Sequence, residues 1–255
     1  MVSNFEQGDS MKVIVSNPFL CNGAVKENLA ALRELCRPYS EEDDPNFDPF
    51  SNTPMVTALN YRPPESLVLQ SGKFDIEEAL CVDFVRNWIK NGGRLVLILG
   101  MWKTGSQGFT KKDAGTILKN LNQSLDGTIL FGQDPIQFYC VPQMHAKLTA
   151  RCKYDSVSKK YLATKAIIGS TNLTTGALGG RNYELDLSFD RNCSEDVAPL
   201  DSISETINDQ LKDFANGVGV DQSITRQVQR VFEVWRFNQQ VRIAGYTNSN
   251  LPPDA

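Results

Sequence analysis

The chain has 255 residues, of which 41% are hydrophobic and 22% charged, the balance of an ordinary globular protein rather than a disordered or fibrous one. A formal net charge of -4 excludes a general nucleic-acid glue, whose grip rests on phosphate neutralisation, but leaves room for a local basic groove. No run of about 18 or more apolar residues is present, which excludes a membrane-spanning helix, and residues 1–11 are polar where a secretory signal needs an apolar stretch.

Residues 11–15 predict a short first strand, and Val25, Leu29, Leu32 and Leu35 mark a helix over 24–37 that Pro38 stops. Residues 39–54, with Glu41, Glu42, Asp43, Asp44 and Asp48, read as an acidic loop. A second helix is predicted over 75–91 from Ile76, Leu80, Phe84, Val85, Trp88 and Ile89, ending at Gly92-Gly93. The apolar run 94–99 then reads as a strand buried on both faces. Strand, helix and strand in this order imply crossover connections and an α/β fold. The loop 101–108 follows the strand, where open α/β sheets place ligand contacts, so Trp102 and Lys103 are candidate substrate contacts; packing of Trp102 is the alternative.

Residues 110–125 predict another helix with Thr110 as its cap, and 127–132 and 137–141 further strands. In 144–152, His145, Lys147 and Thr149 alternate with Ala146, Leu148 and Ala150, the pattern of a half-buried strand with a polar face turned to a cleft. Residues 153–160 form a polar hairpin connection. Ser170 and Asn172 repeat the two-residue spacing after a second apolar run, 166–169. Glu184 and Asp186 repeat it again, with Tyr183, Leu185, Leu187 and Phe189 as apolar complement. Gly176, Gly179 and Gly180 offer a close backbone approach to phosphate or an ordinary turn. Beyond Asp190 the pattern is helical, over 197–214 and along Ile224, Val228, Val231, Phe232 and Trp235. Residues 1–190 are thus expected to form a core and 191–255 a helical extension that packs on it or at a dimer interface.

His145 is the sole histidine, so imidazole chemistry uses it or borrows one from a partner. An imidazole can act as nucleophile or general base, while Lys147, Ser170 and Asn172 can hold non-bridging phosphate oxygens, a set suited to phosphodiester chemistry. Arg151, Lys153, Lys159, Lys160, Lys165 and Arg181 crowd this region in sequence, and Arg151 and Arg181 are candidate substrate contacts; a solvated hairpin is the plainer reading of Lys153, Lys159 and Lys160. The six cysteines lack zinc spacing and read as reduced core residues of a cytoplasmic protein, with no metal or other cofactor expected.

His145-x-Lys147 followed by Gly169-Ser170-x-Asn172 resembles the signature of the phospholipase D superfamily, HxK, four residues, an aspartate, then GSxN. The aspartate position is taken by Cys152. The missing aspartate, together with Glu184 a dozen residues after Asn172, resembles the BfiI-type branch of metal-independent restriction endonucleases. The resemblance implies a mixed β-sheet flanked by helices on both faces, an α/β/α sandwich. It also implies hydrolysis of DNA through a phosphohistidine on His145, with Lys147, Ser170 and Asn172 at the phosphate and Glu184 supporting the imidazole. Superfamily sites pair two motif halves and this chain has one, so the expected partners are a second copy, forming a homodimer with a composite site, DNA, and a separate DNA-recognition domain or subunit, with no membrane. A phospholipid phosphodiesterase or transferase and a noncatalytic nucleic-acid-binding dimer are the alternatives.

Overall fold

The computed structural model describes residues 11–16, 27–37, 65–73, 88, 93–101, 136–173, 177 and 183–243. Seven strands form one mixed sheet: β1 (Lys12–Ser16), β2 (Glu65–Lys73), β3 (Arg94–Met101), β4 (Ile136–Cys140), β5 (Leu148–Asp155), β6 (Lys160–Gly169) and β7 (Glu184–Asp190). Their spatial order is β1-β7-β6-β5-β2-β3-β4. β2, β3 and β4 run parallel, and every other neighbouring pair is antiparallel.

Alternation along the strands divides the core between the two faces of this sheet. Leu67, Leu69, Leu95, Leu97, Ile136, Phe138 and Ile167 face one way and pack with α1 (Glu27–Leu35), through Leu32 and Leu35, and with α3 (Gln222–Ile243), through Val228 and Phe232. Val68, Val96, Ile98, Ala150, Cys152, Ala163 and Ala166 face the other way and meet Leu200, Ile203 and Ile207 of α2 (Val197–Ala215). Layers of helix, sheet and helix follow, as the sequence leads one to expect. Two side chains join α2 to β6 beyond apolar contact: Asn208 bonds both the N–H and the carbonyl of Tyr161, and the Ser204 hydroxyl accepts the Ala163 N–H.

Several expectations need correction. β2 has no counterpart in the sequence reading. The strand predicted over 144–152 begins only at Leu148, and its first five residues are buried without alternation, because helices cover both faces there. The preceding residues have another task. Since β2 and β3 lie between β4 and β5, the chain leaving Cys140 must cross the ends of both strands, and 141–147 do so. Val141 N–H bonds Leu99 carbonyl at 2.8 Å and Met144 N–H bonds Val141 carbonyl at 2.8 Å, which turns the chain along the sheet edge.

The predicted helices over 75–91 and 110–125, the acidic loop 39–54 and the strand 127–132 lie almost entirely outside the described residues. The hairpin is where it was expected: Asp155 accepts the Val157 N–H and the Ser158 hydroxyl, and Lys159 takes the positive φ of 56° that closes the turn. Cys36, Cys140, Cys152 and Cys193 are free thiols in the interior. Burial, with some help from Asp221, pushes the Cys140 thiol up to about 11, and burial drives Cys36 and Cys152 higher still. Among the described residues, no helix is long and apolar enough to cross a membrane.

Candidate active site

The register brings one end of five strands together. The carboxyl ends of β2, β3 and β6 and the amino ends of β5 and β7 share an edge, because β5 and β7 run opposite to their neighbours. His145 and Lys147 enter this edge from the crossing segment, Ser170 and Asn172 follow β6, and Glu184 opens β7. The sequence-predicted set of five therefore converges on a single rim.

The crossing segment can lie this low only because two strands carry glycine beneath it. A Cβ on Gly72 would sit 3.1 Å from both the His145 Cα and the Met144 carbonyl oxygen, and one on Gly100 would collide with that oxygen outright. Gly100→Ala is accordingly expected to lower stability by about 1–3 kcal/mol, the range for forcing a group into filled space, with a smaller loss for Gly72→Ala. Urea unfolding of the two variants checks both the loss and its order.

His145 is exposed, and its ring meets the Lys147 ammonium at 3.2 Å from Nδ1 and 3.5 Å from Nε2. The ammonium thus stands beside both ring nitrogens, a cation placed at the imidazole where a phosphate would also meet it. The same ammonium donates to the His145 carbonyl at 2.7 Å. Gly169 N–H donates to the Lys147 carbonyl at 3.2 Å, which ties the end of β6 to the histidine segment.

Glu184 is only 5% exposed, so it is no ordinary solvent-facing carboxylate. It accepts the Ser170 hydroxyl at 2.6 Å, while the same hydroxyl oxygen accepts the Leu185 N–H at 2.9 Å. Among the described residues, the carboxylate thus meets Ser170 and not the imidazole. Asn172 turns its Oδ1 toward the Ser71 hydroxyl at 3.4 Å, and Ser71 in turn accepts the Leu173 N–H at 3.0 Å. At the start of β7 the faces are the reverse of those expected, while farther along Phe189 packs on the core as read. Glu184 and Asp186 are buried, whereas Tyr183 and Leu185, read as apolar complement, are 60% and 56% exposed. The hydroxyls of Ser170 and Thr171 satisfy the two carboxylates and make their burial tolerable.

Other candidates do not gather here. Arg151 points into the interior, where it is 5% exposed and bonds Glu65 and the carbonyls of Leu35 and Arg37, so it is no substrate contact. Lys153, Lys159 and Lys160 belong to the β5–β6 hairpin toward the opposite end of the sheet, with Lys160 roughly 23 Å away at the usual rise of an extended strand. Lys165 pairs with Asp190 at 3.0 Å. Trp102, Lys103 and Arg181 lie outside the described residues. Cys152 is wholly buried in β5 among Val68, Ala150 and Ala163, remote from the rim. Cavities of about 550 and 790 Å³ open beside α1 and beside the hairpin, also away from the rim. Among the described residues, no cluster of three or more His, Cys, Asp or Glu side chains could hold a metal ion. Ser71, Gly72 and Gly100 are the positions that sequence reasoning missed; their signal was a small or polar residue ending an apolar run at the carboxyl end of a strand.

Neither a protein-family model nor a curated protein sequence matches the chain. Solved structures that resemble it include Nuc from Salmonella typhimurium, a phospholipase D family member, at 11% identity and a TM-score of 0.41, covering 81% of this chain and 94% of that one. NucT from Helicobacter pylori matches at 11% identity and 0.38, covering 78% and 96%. TrmBL2, an archaeal chromatin protein, matches at 9% identity and 0.39, covering 80% and 53%.

Proposed function

We propose that the chain is a phosphodiesterase of the phospholipase D type, an endonuclease that hydrolyses DNA without a metal and acts as the catalytic domain of a restriction or defence enzyme of the BfiI type. The observation that supports this reading is that His145, Lys147, Ser170 and Asn172 all stand at one end of the sheet, with the Lys147 ammonium 3.2 Å from the imidazole.

In the first step a His145 ring nitrogen attacks phosphorus, a P–N bond forms, and the P–O bond to the leaving sugar oxygen breaks. That oxygen takes a proton from a second imidazole. In the next step water attacks phosphorus, the P–N bond breaks, and the second imidazole receives the water proton. The chain's single histidine makes the partner subunit's His145 the second imidazole, which a two-fold axis through the site supplies. Lys147 has a flexible stem that lets its ammonium leave the His145 carbonyl for a phosphate oxygen, and the Asn172 amide donates to a further oxygen. Glu184 acts through Ser170: it holds the hydroxyl proton and so fixes the turn that carries Asn172 to the phosphate. Residues 1–190 form the catalytic core and 191–255 an extension of it, with DNA recognition supplied by a separate domain or subunit.

Incubation of plasmid DNA with the purified chain in EDTA tests the reading: nicked or linear product is expected from the wild type. A noncatalytic DNA-binding dimer would retard the plasmid without cutting it, and a phospholipid enzyme would leave it alone. Glu184→Ala is expected to lower kcat by about 10²-fold, the scale of losing one preorganised hydrogen bond of the site. Initial rates at saturating DNA read this out, and full retention of activity would remove Glu184 from the site.

A further inference from the structure

We infer that Asp186 is a positioning residue of this site, acting through Thr171 to hold the turn that presents Ser170 and Asn172; the inference rests on the proposed phosphodiesterase reading. Asp186 is 2% exposed, more deeply buried than Glu184, and shares its face of β7. Its carboxylate accepts the Thr171 hydroxyl at 2.6 Å and the Thr171 N–H at 3.2 Å. Thr171 stands between Ser170 and Asn172, so its anchor fixes the backbone midway between two side chains of the site.

Two further features show that the local chain is shaped to accommodate this carboxylate. A Cβ on Gly169 would collide with the Asp186 carboxylate and the Leu185 carbonyl, so glycine at that position lets β6 end directly against Asp186. Opposite, Ser71 of β2 accepts the Leu173 N–H, which pins the other end of the same turn. The segment 170–173 is therefore gripped from β7 at Ser170 and Thr171 and from β2 at Leu173. Burying a carboxylate is unfavourable unless its lone pairs are matched, and a hydroxyl with a backbone N–H from one residue matches them in a fixed geometry. Asparagine at 186 keeps one acceptor oxygen and so cannot take both bonds on carboxylate oxygens.

The test uses the full chain and four variants, Asp186→Asn, Thr171→Val, Thr171→Ser and the double Asp186→Asn/Thr171→Val. Expected are a loss in kcat of tenfold or more for Asp186→Asn and Thr171→Val, with KM within about threefold of wild type, full rescue in Thr171→Ser, and a double variant no worse than the poorer single. Thermal unfolding shows which variants are folded; should Asp186→Asn not fold, the comparison of Thr171→Val with Thr171→Ser decides. A folded Thr171→Val with wild-type kcat, or losses that multiply in the double variant, overturns the inference. Nitrogen-15 amide resonances of Ser170 and Asn172 give a readout independent of cleavage. They are expected to shift in Thr171→Val and hold in Thr171→Ser, and unmoved resonances in Thr171→Val also overturn it. A wild-type chain that cleaves nothing counts against the nuclease reading, while these resonances still judge Asp186.

Discussion

His145→Ala is expected to lower EDTA-resistant plasmid cleavage by about 10⁴-fold or more, the scale on which enzymes lose activity with their nucleophile. No other imidazole exists in the chain to replace it. The ring is exposed at a sheet edge, and its removal leaves the interior untouched, so the unfolding midpoint should stay near that of the wild type. Loss of activity with retained stability separates a chemical role from a structural one. Mixing then tests the shared site. If each site needs both histidines, random reassociation of equal amounts of wild type and His145→Ala leaves about a quarter of the dimers active, whereas independent subunits would retain about half. A result near one half, or cleavage by a strict monomer, would discard the two-fold site.

Spacing within single strands made much of this rim legible, because residues two apart share a face whatever the rest of the chain does. That logic holds for Glu184 with Asp186; Ser170 and Asn172 share the spacing but follow the end of β6, where one side chain meets β7 and the other β2. It could not tell which face is buried. Leu185 and Tyr183 are exposed and the carboxylates enclosed because hydroxyls from another strand end meet them, a fact of tertiary pairing. β2 escaped notice for the same reason. Ser66, Gln70 and Ser71 break up its apolar run, yet they are buried, and two of them find distant partners in Gln210 and Leu173. The strand predicted around His145 failed on topology: period-two alternation was present, but the segment has to cross two strand ends before it can pair. Charge clustering in sequence misled at Arg151, which turns inward to Glu65, whereas the lysines of the β5–β6 hairpin lie toward the far end of the sheet, as the hairpin reading of them expects.

Arg151→Ala is expected to cost about 3–5 kcal/mol of stability, the usual consequence of breaking a buried ion pair from one side. The guanidinium donates to Glu65 at 3.1 and 2.6 Å, with side chains only 6% and 15% exposed. It also donates to the Leu35 and Arg37 carbonyls at 3.3 and 2.6 Å, closing the carboxyl end of α1, and lies 5.3 Å from the Trp88 ring. Removing it leaves a carboxylate and two carbonyls without their donor. Lysine offers charge but no planar fork, so Arg151→Lys should recover only part of the loss. Replacing both members, as in Arg151→Met with Glu65→Leu, should be far less harmful than either truncation, since the penalty comes from the orphaned group rather than from the pair. Denaturant midpoints rank the three variants. Kinetics separate this role from substrate binding: where Arg151→Ala is folded, KM for DNA should match wild type. An unchanged midpoint with a raised KM would return Arg151 to the substrate and undo its place in the core.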